Sequence, residues 1–368
     1  MRKNLLLVVL AAILSLGVFW LPLGARISTF WGIDFAKRGM ETIVQNFDGL
    51  NYLVITQTGY DPAKIEQLSA RFLTGNDPIY FAAHFPLYPL LVKLFDYITT
   101  LPNALLLAIV VTNIALAASL YAFFAAVSKN SRLSVILTCV ALFFPARMLS
   151  VRAVGSSEPL FIALLLASLT GALRGKYVMS ATLGALAVLT RSPGILLFGV
   201  YLLRWFRQPK TLFPYLLMPA TLLAWFGYLG YQYGDPLAYF HSGDNLHLFF
   251  PPFQIFSNMQ SWISDMWRED IVYLYLFYGV GVWQLRDRLL KYWGWIYGGV
   301  LLLVAHRDLA RYALPLSPIA LLGYAPWLEK IPKKVWLAGA LLLIPIYLLG
   351  WQFVLGNIQP ISDWSVFL

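Results

Sequence analysis

Cysteine and charged residues are scarce in this chain of 368 residues. Its single cysteine, Cys139, excludes an internal disulfide bond. Charged residues make up 12% of the chain and apolar residues 60%, whereas soluble proteins average about 25% charged residues. Together with a mean hydropathy of +0.69, this composition excludes an ordinary soluble protein and predicts an integral membrane protein.

Long apolar runs recur along the whole chain, and a helix needs about 20 apolar residues to cross a bilayer. Strands of a membrane barrel would give short alternating segments instead. We therefore predict an all-α polytopic membrane protein. About eleven transmembrane helices are predicted, near residues 5–22, 104–127, 133–146, 158–173, 177–190, 194–203, 212–230, 271–285, 292–305, 313–328 and 335–355.

Basic residues are concentrated at the amino terminus and in alternate short turns between these runs. These segments hold 15 basic residues against two acidic ones, a balance of +13, and the rest of the chain balances at −3. Because basic turns stay in the cytoplasm, the amino terminus is predicted to be cytoplasmic and the carboxyl terminus to lie outside. The net charge of +10 then reflects topology and gives no reason to expect a nucleic-acid partner.

The first apolar run follows Arg2 and Lys3 and fits either a cleaved signal peptide or an uncleaved anchor. Its length favours the anchor. No soluble domain or repeat is evident, so residues 1–368 are predicted to form a single integral membrane domain. The compact loops favour a bacterial plasma membrane over the endoplasmic reticulum.

Two long loops are predicted on the outer face, at residues 23–103 and 231–270, and loops of such length usually carry function. In the first loop, residues 85–99 are apolar enough to suggest a twelfth span. Lys93, Asp96 and the nearby prolines instead predict an amphipathic helix on the membrane surface. A span there would also place the later basic turns outside.

Charged residues of the outer loops fall mostly near predicted helix ends. Any single one could be a lipid-headgroup contact or a structural ion pair, but their concentration on one face favours a site. No cluster has metal-ligand spacing, and His241 and His247, six residues apart, are expected to contact substrate or to pack. No metal or cofactor is predicted. The charged residues are Asp34, Asp48, Arg147, Arg152, Glu158, Arg191, His306, Arg307, Asp308 and Arg311.

Four short motifs occur in a fixed order. Residues 47–60 read Phe-Asp-Gly-Leu-Asn-Tyr-Leu-Val-Ile-Thr-Gln-Thr-Gly-Tyr, and residues 83–89 read Ala-His-Phe-Pro-Leu-Tyr-Pro. Residues 157–161 read Ser-Glu-Pro-Leu-Phe, and residues 191–194 read Arg-Ser-Pro-Gly. The ordered set resembles the PIG-V family of mannosyltransferases, which are multi-span glycosyltransferases of the GT-C class.

The resemblance is densest over residues 46–89, continues to about residue 194 and then rests on hydropathy and the Arg-Tyr pair at 311–312. Three residues depart from the family pattern: Phe47 stands for Trp, Asn51 for His, and His84 for the first Phe of the Pro-Leu-Tyr-Pro segment. The aspartate of the family pattern is retained as Asp48. The role of the family's histidine, and with it the acceptor, is left open.

The resemblance implies a GT-C-like helical bundle and an enzyme of defined reaction type. It implies transfer of a hexose, in this family mannose, from a polyprenyl- or dolichyl-phosphate donor to an acceptor hydroxyl on the outer or lumenal face, with inversion. The implied partners are this donor, a glycolipid or polymer acceptor and membrane lipids.

The chemistry of such a transfer assigns roles to several residues. An attacking hydroxyl needs a base, for which we select Asp48; a helix cap at Gly49 is the alternative. The leaving lipid phosphate needs cationic donors, for which the candidates are Arg191, Arg311, His306 and Arg307. Snorkelling to headgroups is the alternative for the arginines.

The candidate contacts to acceptor or sugar are Asp34, Asn51, Tyr52, His84, Tyr88 and Glu158. Glu158 could instead cap its helix or pair with Arg152. Two rival functions are a lipid or solute transporter or flippase, and a catalytically inactive scaffold. A transporter is expected to place ionisable groups near the bilayer midplane, whereas here they collect at one predicted face.

Overall fold

The computed structural model of the protein describes residues 2–69, 76–244, 247–257, 265–359, 361 and 363–368. Parts of both predicted outer loops, at residues 70–75, 245–246 and 258–264, therefore lie outside the described residues. All candidate site residues named above lie within the described residues.

The regular structure of the described residues is helical. Isolated β-bridges pair residues 30 and 33, 46 and 358, and 248 and 304. The α-helices of the first half are α1 (Arg2–Gly24), α2 (Glu41–Val44), α3 (Gly49–Thr58), α4 (Pro62–Ser69), α5 (Leu87–Asp96), α6 (Leu101–Ser128), α7 (Ser131–Phe143), α8 (Arg147–Arg152), α9 (Glu158–Leu173), α10 (Tyr177–Val188) and α11 (Leu196–Trp205).

The second half continues the same pattern with shorter pieces. Its α-helices are α12 (Pro209–Leu212), α13 (Leu217–Tyr233), α14 (Ala238–His241), α15 (Asp265–Gln284), α16 (Arg288–Leu301), α17 (Leu309–Tyr312), α18 (Ser317–Gly323), α19 (Ala325–Leu328), α20 (Lys333–Gly339) and α21 (Leu343–Gly356). Short 3₁₀ helices cover Pro78–Ala83, Ser192–Ile195, Phe213–Leu216, Gln254–Phe256, Leu314–Leu316, Ala340–Leu342 and Ser365–Phe367.

Four helical stretches in the described residues are long and apolar enough to cross a membrane. They are Arg2–Gly24, Leu101–Ser128, Pro209–Tyr233 and Lys333–Gly356. At about 1.5 Å per residue, even the shortest of these exceeds the hydrocarbon core of about 30 Å. The chain is thus an all-helical protein with several helices able to span a membrane, which confirms the predicted class at this level.

The predicted segments 292–305 and 313–328 show two ways in which the observed helices differ from the apolar runs. The segment 292–305 forms a helix that begins earlier, because the Asp287 side chain accepts a hydrogen bond from the Leu290 amide at 3.1 Å and caps it. It ends at Leu301, and the Phe249 amide donates to the Leu303 carbonyl at 2.8 Å. The segment 313–328 is divided into short helices, each with a proline in its first turn.

The centre of the bundle is α6, which packs against α1, α5, α7 and α9. One end of the bundle gathers the amino terminus and two of the basic turns. Asn4 donates to the Ser131 hydroxyl at 2.6 Å, and Asn130 donates to Glu329 at 2.6 Å. These contacts join segments that the charge pattern assigns to one face.

The segment between α1 and α6 packs into the bundle. Every residue of α3 except Gln57 is buried. The predicted amphipathic helix at 85–99 is present as α5, which buries Tyr88 and Val92 and exposes Leu90 and Leu94. Its ten residues extend about 15 Å, about half the thickness of the hydrocarbon core.

Candidate active site

Asp48 lies at the start of α3 but does not cap it with its side chain. Its backbone carbonyl accepts the Tyr52 amide at 2.9 Å, and the carboxylate makes no capping hydrogen bond. The carboxylate instead faces Arg311, whose Nη2 atom lies 2.5 Å from the Oδ2 atom of Asp48. The capping alternative is therefore wrong for this side chain.

Arg311 joins Asp48 to a second, more deeply buried carboxylate. The Glu158 side chain, only 2% exposed, accepts from the Nε atom of Arg311 and from its Nη2 atom at 3.2 Å. Arg191 donates to the Oε1 atom of Glu158 at 2.7 Å and to the Ser157 hydroxyl at 3.2 Å. The two arginines and two carboxylates thus form one continuous ion-pair network, which compensates the charges removed from water.

Two glycines bring the carboxylates together. A Cβ atom on Gly155 would lie 2.7 Å from the Cα atom of Gly49. Gly49 directly follows Asp48, and Gly155 lies three residues before Glu158. The close approach of the two backbones therefore places both acids within reach of Arg311.

His84 lies near the other carboxylate oxygen of Asp48. Its Nε2 atom lies 3.7 Å from Asp48 Oδ1, 3.9 Å from Asp244 Oδ2 and 3.1 Å from Asn51 Nδ2. The His84 side chain is 5% exposed, and its Nδ1 atom has no hydrogen-bond partner among the described residues. Two carboxylates therefore lie near the Nε2 edge of the imidazole, each beyond hydrogen-bonding distance.

Two aromatic rings that lie between two guanidinium groups connect the network to α21. The Arg311 guanidinium lies 4.4 Å from the Phe47 ring centre, and the Phe47 and Phe353 rings lie 5.3 Å apart. Arg147 covers Phe353 at 3.7 Å and pairs with Asp308 at 3.1 Å. The Arg311 head group therefore makes a cation–π contact with Phe47.

His306 stacks on His247, with ring centres 5.2 Å apart. Its Nδ1 atom accepts a hydrogen bond from the Asp308 amide at 3.0 Å. Burial, with the nearby His247, Arg311 and Arg307, lowers the pKa of His306 to about 4. At neutral pH this imidazole is uncharged, so it would serve a phosphate as a neutral hydrogen-bond donor.

These side chains surround a cavity of about 680 Å³. Of the residues chosen from the sequence, seven line it: Asp48, Tyr52, His84, Arg191, His306, Arg307 and Arg311. Asn51, Tyr88 and Glu158 are buried behind the lining residues. Asp34 is exposed elsewhere, where it accepts a hydrogen bond from the Ala36 amide at 2.8 Å.

The alternative pairing of Glu158 with Arg152 is wrong. The fully buried Arg152 donates to the Leu142 carbonyl at 3.0 Å, the Asn113 side chain at 3.0 Å and the Ser15 hydroxyl at 2.6 Å. It links α7, α6 and α1 to the end of α8, away from the cavity.

His241 pairs with Asp235 at 2.6 Å.

Several cavity residues received no role from the sequence. Arg147 and Asp308 stood out as outer charges without an assigned partner, and Asp244 gave no signal beyond its charge. Gln352 and Asn357 also line the cavity. Gln352 and Asn357 are polar residues at the end of the last apolar run, and this position is a sequence signal that could identify them as cavity residues.

The electrostatics of Asp48 follow from these contacts. Burial alone would raise the pKa of Asp48, but the Arg311 guanidinium and the His84 imidazole outweigh it and hold this pKa well below its usual range. Asp48 is therefore ionised at neutral pH. While it is paired with Arg311 it is a weak base.

No protein-family model and no curated protein matches the chain. Among the described residues, no group of three or more His, Cys, Asp or Glu side chains could hold a metal ion. The arrangement itself offers an ionised carboxylate, a neighbouring imidazole and several arginines around one cavity. Such a set can bind a phosphate and accept a proton from a hydroxyl.

Proposed function

We propose that the protein is a membrane glycosyltransferase that uses a polyprenyl- or dolichyl-phosphate sugar as donor. A hexose, mannose by the resemblance to the PIG-V family, is transferred to an acceptor hydroxyl with inversion at the anomeric carbon. The observation that carries the proposal is the shared cavity. Asp48, Arg191 and Arg311 all line it, so a base and cations for a leaving phosphate face the same space.

The reaction assigns one task to each group. The acceptor oxygen forms a bond to the anomeric carbon while its proton passes to the Asp48 carboxylate. The bond from that carbon to the phosphate oxygen breaks, and the lipid phosphate leaves with the electron pair. Arg191 and Arg311 stabilise the negative charge that develops on this phosphate.

The proposal also includes the number of transmembrane segments and the orientation of the chain in the membrane. We assign the chain a GT-C-like bundle with about eleven transmembrane segments, in which the shorter apolar helices complete the crossings. The basic end faces the cytoplasm, and the cavity opens on the outer or lumenal side, where a lipid donor and a polar acceptor meet. A bacterial plasma membrane is the proposed location.

The test is a transfer assay with purified protein in lipid. Radiolabelled polyprenyl-phosphate mannose is supplied with a crude extract of the source's glycolipids, and GDP-mannose replaces the lipid donor in a parallel reaction. We expect labelled product and free polyprenyl phosphate from the lipid donor alone. A product formed from GDP-mannose alone, or movement of the lipid donor between leaflets without transfer, would contradict the proposal; the second result favours a flippase.

A further inference from the structure

The contacts of Arg311 suggest how the site avoids exposing a strong base when no donor is bound. Its Nη2 atom is shared between Asp48 Oδ2 at 2.5 Å and Glu158 Oε2 at 3.2 Å. The arginine proposed to bind the leaving phosphate is therefore already bound to the proposed base. Both tasks cannot be served fully by the same guanidinium edge at once.

We propose that Arg311 is an exchangeable partner of Asp48, and that a lipid phosphate entering the cavity takes the guanidinium from Asp48. This inference rests on the proposed function and adds a binding order to it. The donor binds first, Arg311 turns to its phosphate, and only then can the Asp48 carboxylate accept the acceptor's proton.

Glu158 remains paired with a cation when Arg311 turns away. Glu158 retains the Arg191 hydrogen bond at 2.7 Å and also accepts from the Ser156 hydroxyl. Asp48 retains His84 at 3.7 Å, and its side chain is 20% exposed to the cavity. Breaking a fully buried ion pair is costly, but here Glu158 keeps Arg191 and Asp48 faces the cavity.

Arg311 is placed to make this change with a small movement. Its side chain is 13% exposed and lines the cavity. The contact of its guanidinium with the Phe47 ring at 4.4 Å can persist while the N–H groups turn from the carboxylate to a phosphate, because a cation–π contact constrains direction weakly.

The consequence for the base is an increase in strength on donor binding. The Arg311 guanidinium contributes to the low pKa of Asp48, and an opposite charge that moves away raises the pKa of a carboxylate. A base with a pKa nearer the operating pH removes a hydroxyl proton more effectively. Without donor, the paired carboxylate would not activate water or acceptor.

Competition between carboxylate and phosphate gives a test that needs no transfer assay. Farnesyl phosphate serves as a short polyprenyl-phosphate probe, and its dissociation constant is measured for the parent, Asp48→Asn and Asp244→Asn. Asp244 lines the same cavity and lies against His84, so its removal changes the same charge without freeing Arg311. Asp48→Ala repeats the removal without an amide, and gel filtration checks folding.

We expect Asp48→Asn to bind farnesyl phosphate about ten- to a hundredfold more tightly than the parent, since a charge-assisted hydrogen bond no longer opposes binding. Asp244→Asn should gain threefold or less, by loss of general repulsion. Farnesol and inorganic phosphate separate the lipid and phosphate contributions. A gain in Asp48→Asn no larger than in Asp244→Asn would overturn the exchange and leave the proposed function standing. No binding by parent or variants would count against the donor class itself.

Discussion

Gly155 and Gly49 are in backbone contact: a Cβ atom on Gly155 would lie 2.7 Å from the Cα atom of Gly49. We predict that Gly155→Ala lowers the thermal stability of the protein and weakens farnesyl phosphate binding, because the methyl group displaces the backbone that positions both acids and, through them, Arg311. Overpacking of this kind costs about 1–3 kcal/mol. Thermal unfolding in detergent and the farnesyl phosphate dissociation constant measure the two effects.

The matched control for this substitution is Gly227→Ala, in α13. A Cβ atom at Gly227 meets nothing within 4 Å, and alanine is the better helix former. We expect the control to match or exceed the parent in melting temperature. Equal melting and binding for Gly155→Ala and the parent would contradict the role given to the glycine contact.

Arg191→Ala tests the proposed phosphate site. The variant should fold, because Glu158 keeps Arg311 as a partner, and its turnover should fall by about 10²- to 10³-fold through the loss of one preorganised donor to the leaving phosphate. Steady-state rates at saturating donor measure the effect. Arg174→Ala, which removes an exposed arginine outside the cavity, should leave the rate unchanged. Equal rates for Arg191→Ala and the parent would remove Arg191 from the mechanism.

His306 predicts a dependence of stability on pH. Its pKa is about 4 in the folded protein against 6.5 as the ordinary value, so the unfolded chain binds more protons between these pH values. The free energy of unfolding should therefore fall as the pH drops from 6.5 to 4, by at most about 3 kcal/mol from this group.

His306→Gln removes that contribution, so the melting temperature of the variant should fall less than that of the parent between pH 6.5 and 4. Arg174→Ala, at an exposed arginine outside the cavity, is the control and should keep the parent's pH dependence. If the parent and His306→Gln lose the same stability over this range, the imidazole is not held neutral by its surroundings.

Arg152 is predicted to stabilise the bundle without taking part in the chemistry. Arg152→Met leaves the Leu142 carbonyl and the Asn113 side-chain oxygen without their donor, and each unsatisfied buried group costs about 1–3 kcal/mol. We expect a melting temperature well below that of the parent. An unchanged melting temperature would show that the three helices are held together by other contacts.

The helices of this fold could be predicted from the sequence because apolar runs report burial directly. The run at 158–173 matches α9, and the run at 104–127 lies within α6. The candidate base could also be selected, since Asp48 belongs to a recognisable motif. The partner of Asp48 could not be predicted. Arg311 lies 263 residues away, and the sequence gives no distance between segments from opposite ends of the chain.

The contact between the Phe47 and Phe353 rings could not be predicted for a related reason. Phe353 lies in an apolar helix where any aromatic residue would fit the pattern, and only its contact with Arg147 at 3.7 Å gives it a place beside the cavity. Arg152 shows the opposite error: its nearness in sequence to Glu158 suggested an ion pair, whereas the end of α8 directs it into the bundle.

Asp48 is the proposed base of a lipid-dependent sugar transfer. The most direct measurement compares the parent, Asp48→Asn and Asp244→Asn in the polyprenyl-phosphate mannose assay, with folding and farnesyl phosphate binding checked for each. The role of Asp48 as base predicts product from the parent, transfer reduced by at least about 10²-fold in Asp48→Asn although it binds the probe, and substantial activity in Asp244→Asn. Full transfer by a folded Asp48→Asn protein would contradict it.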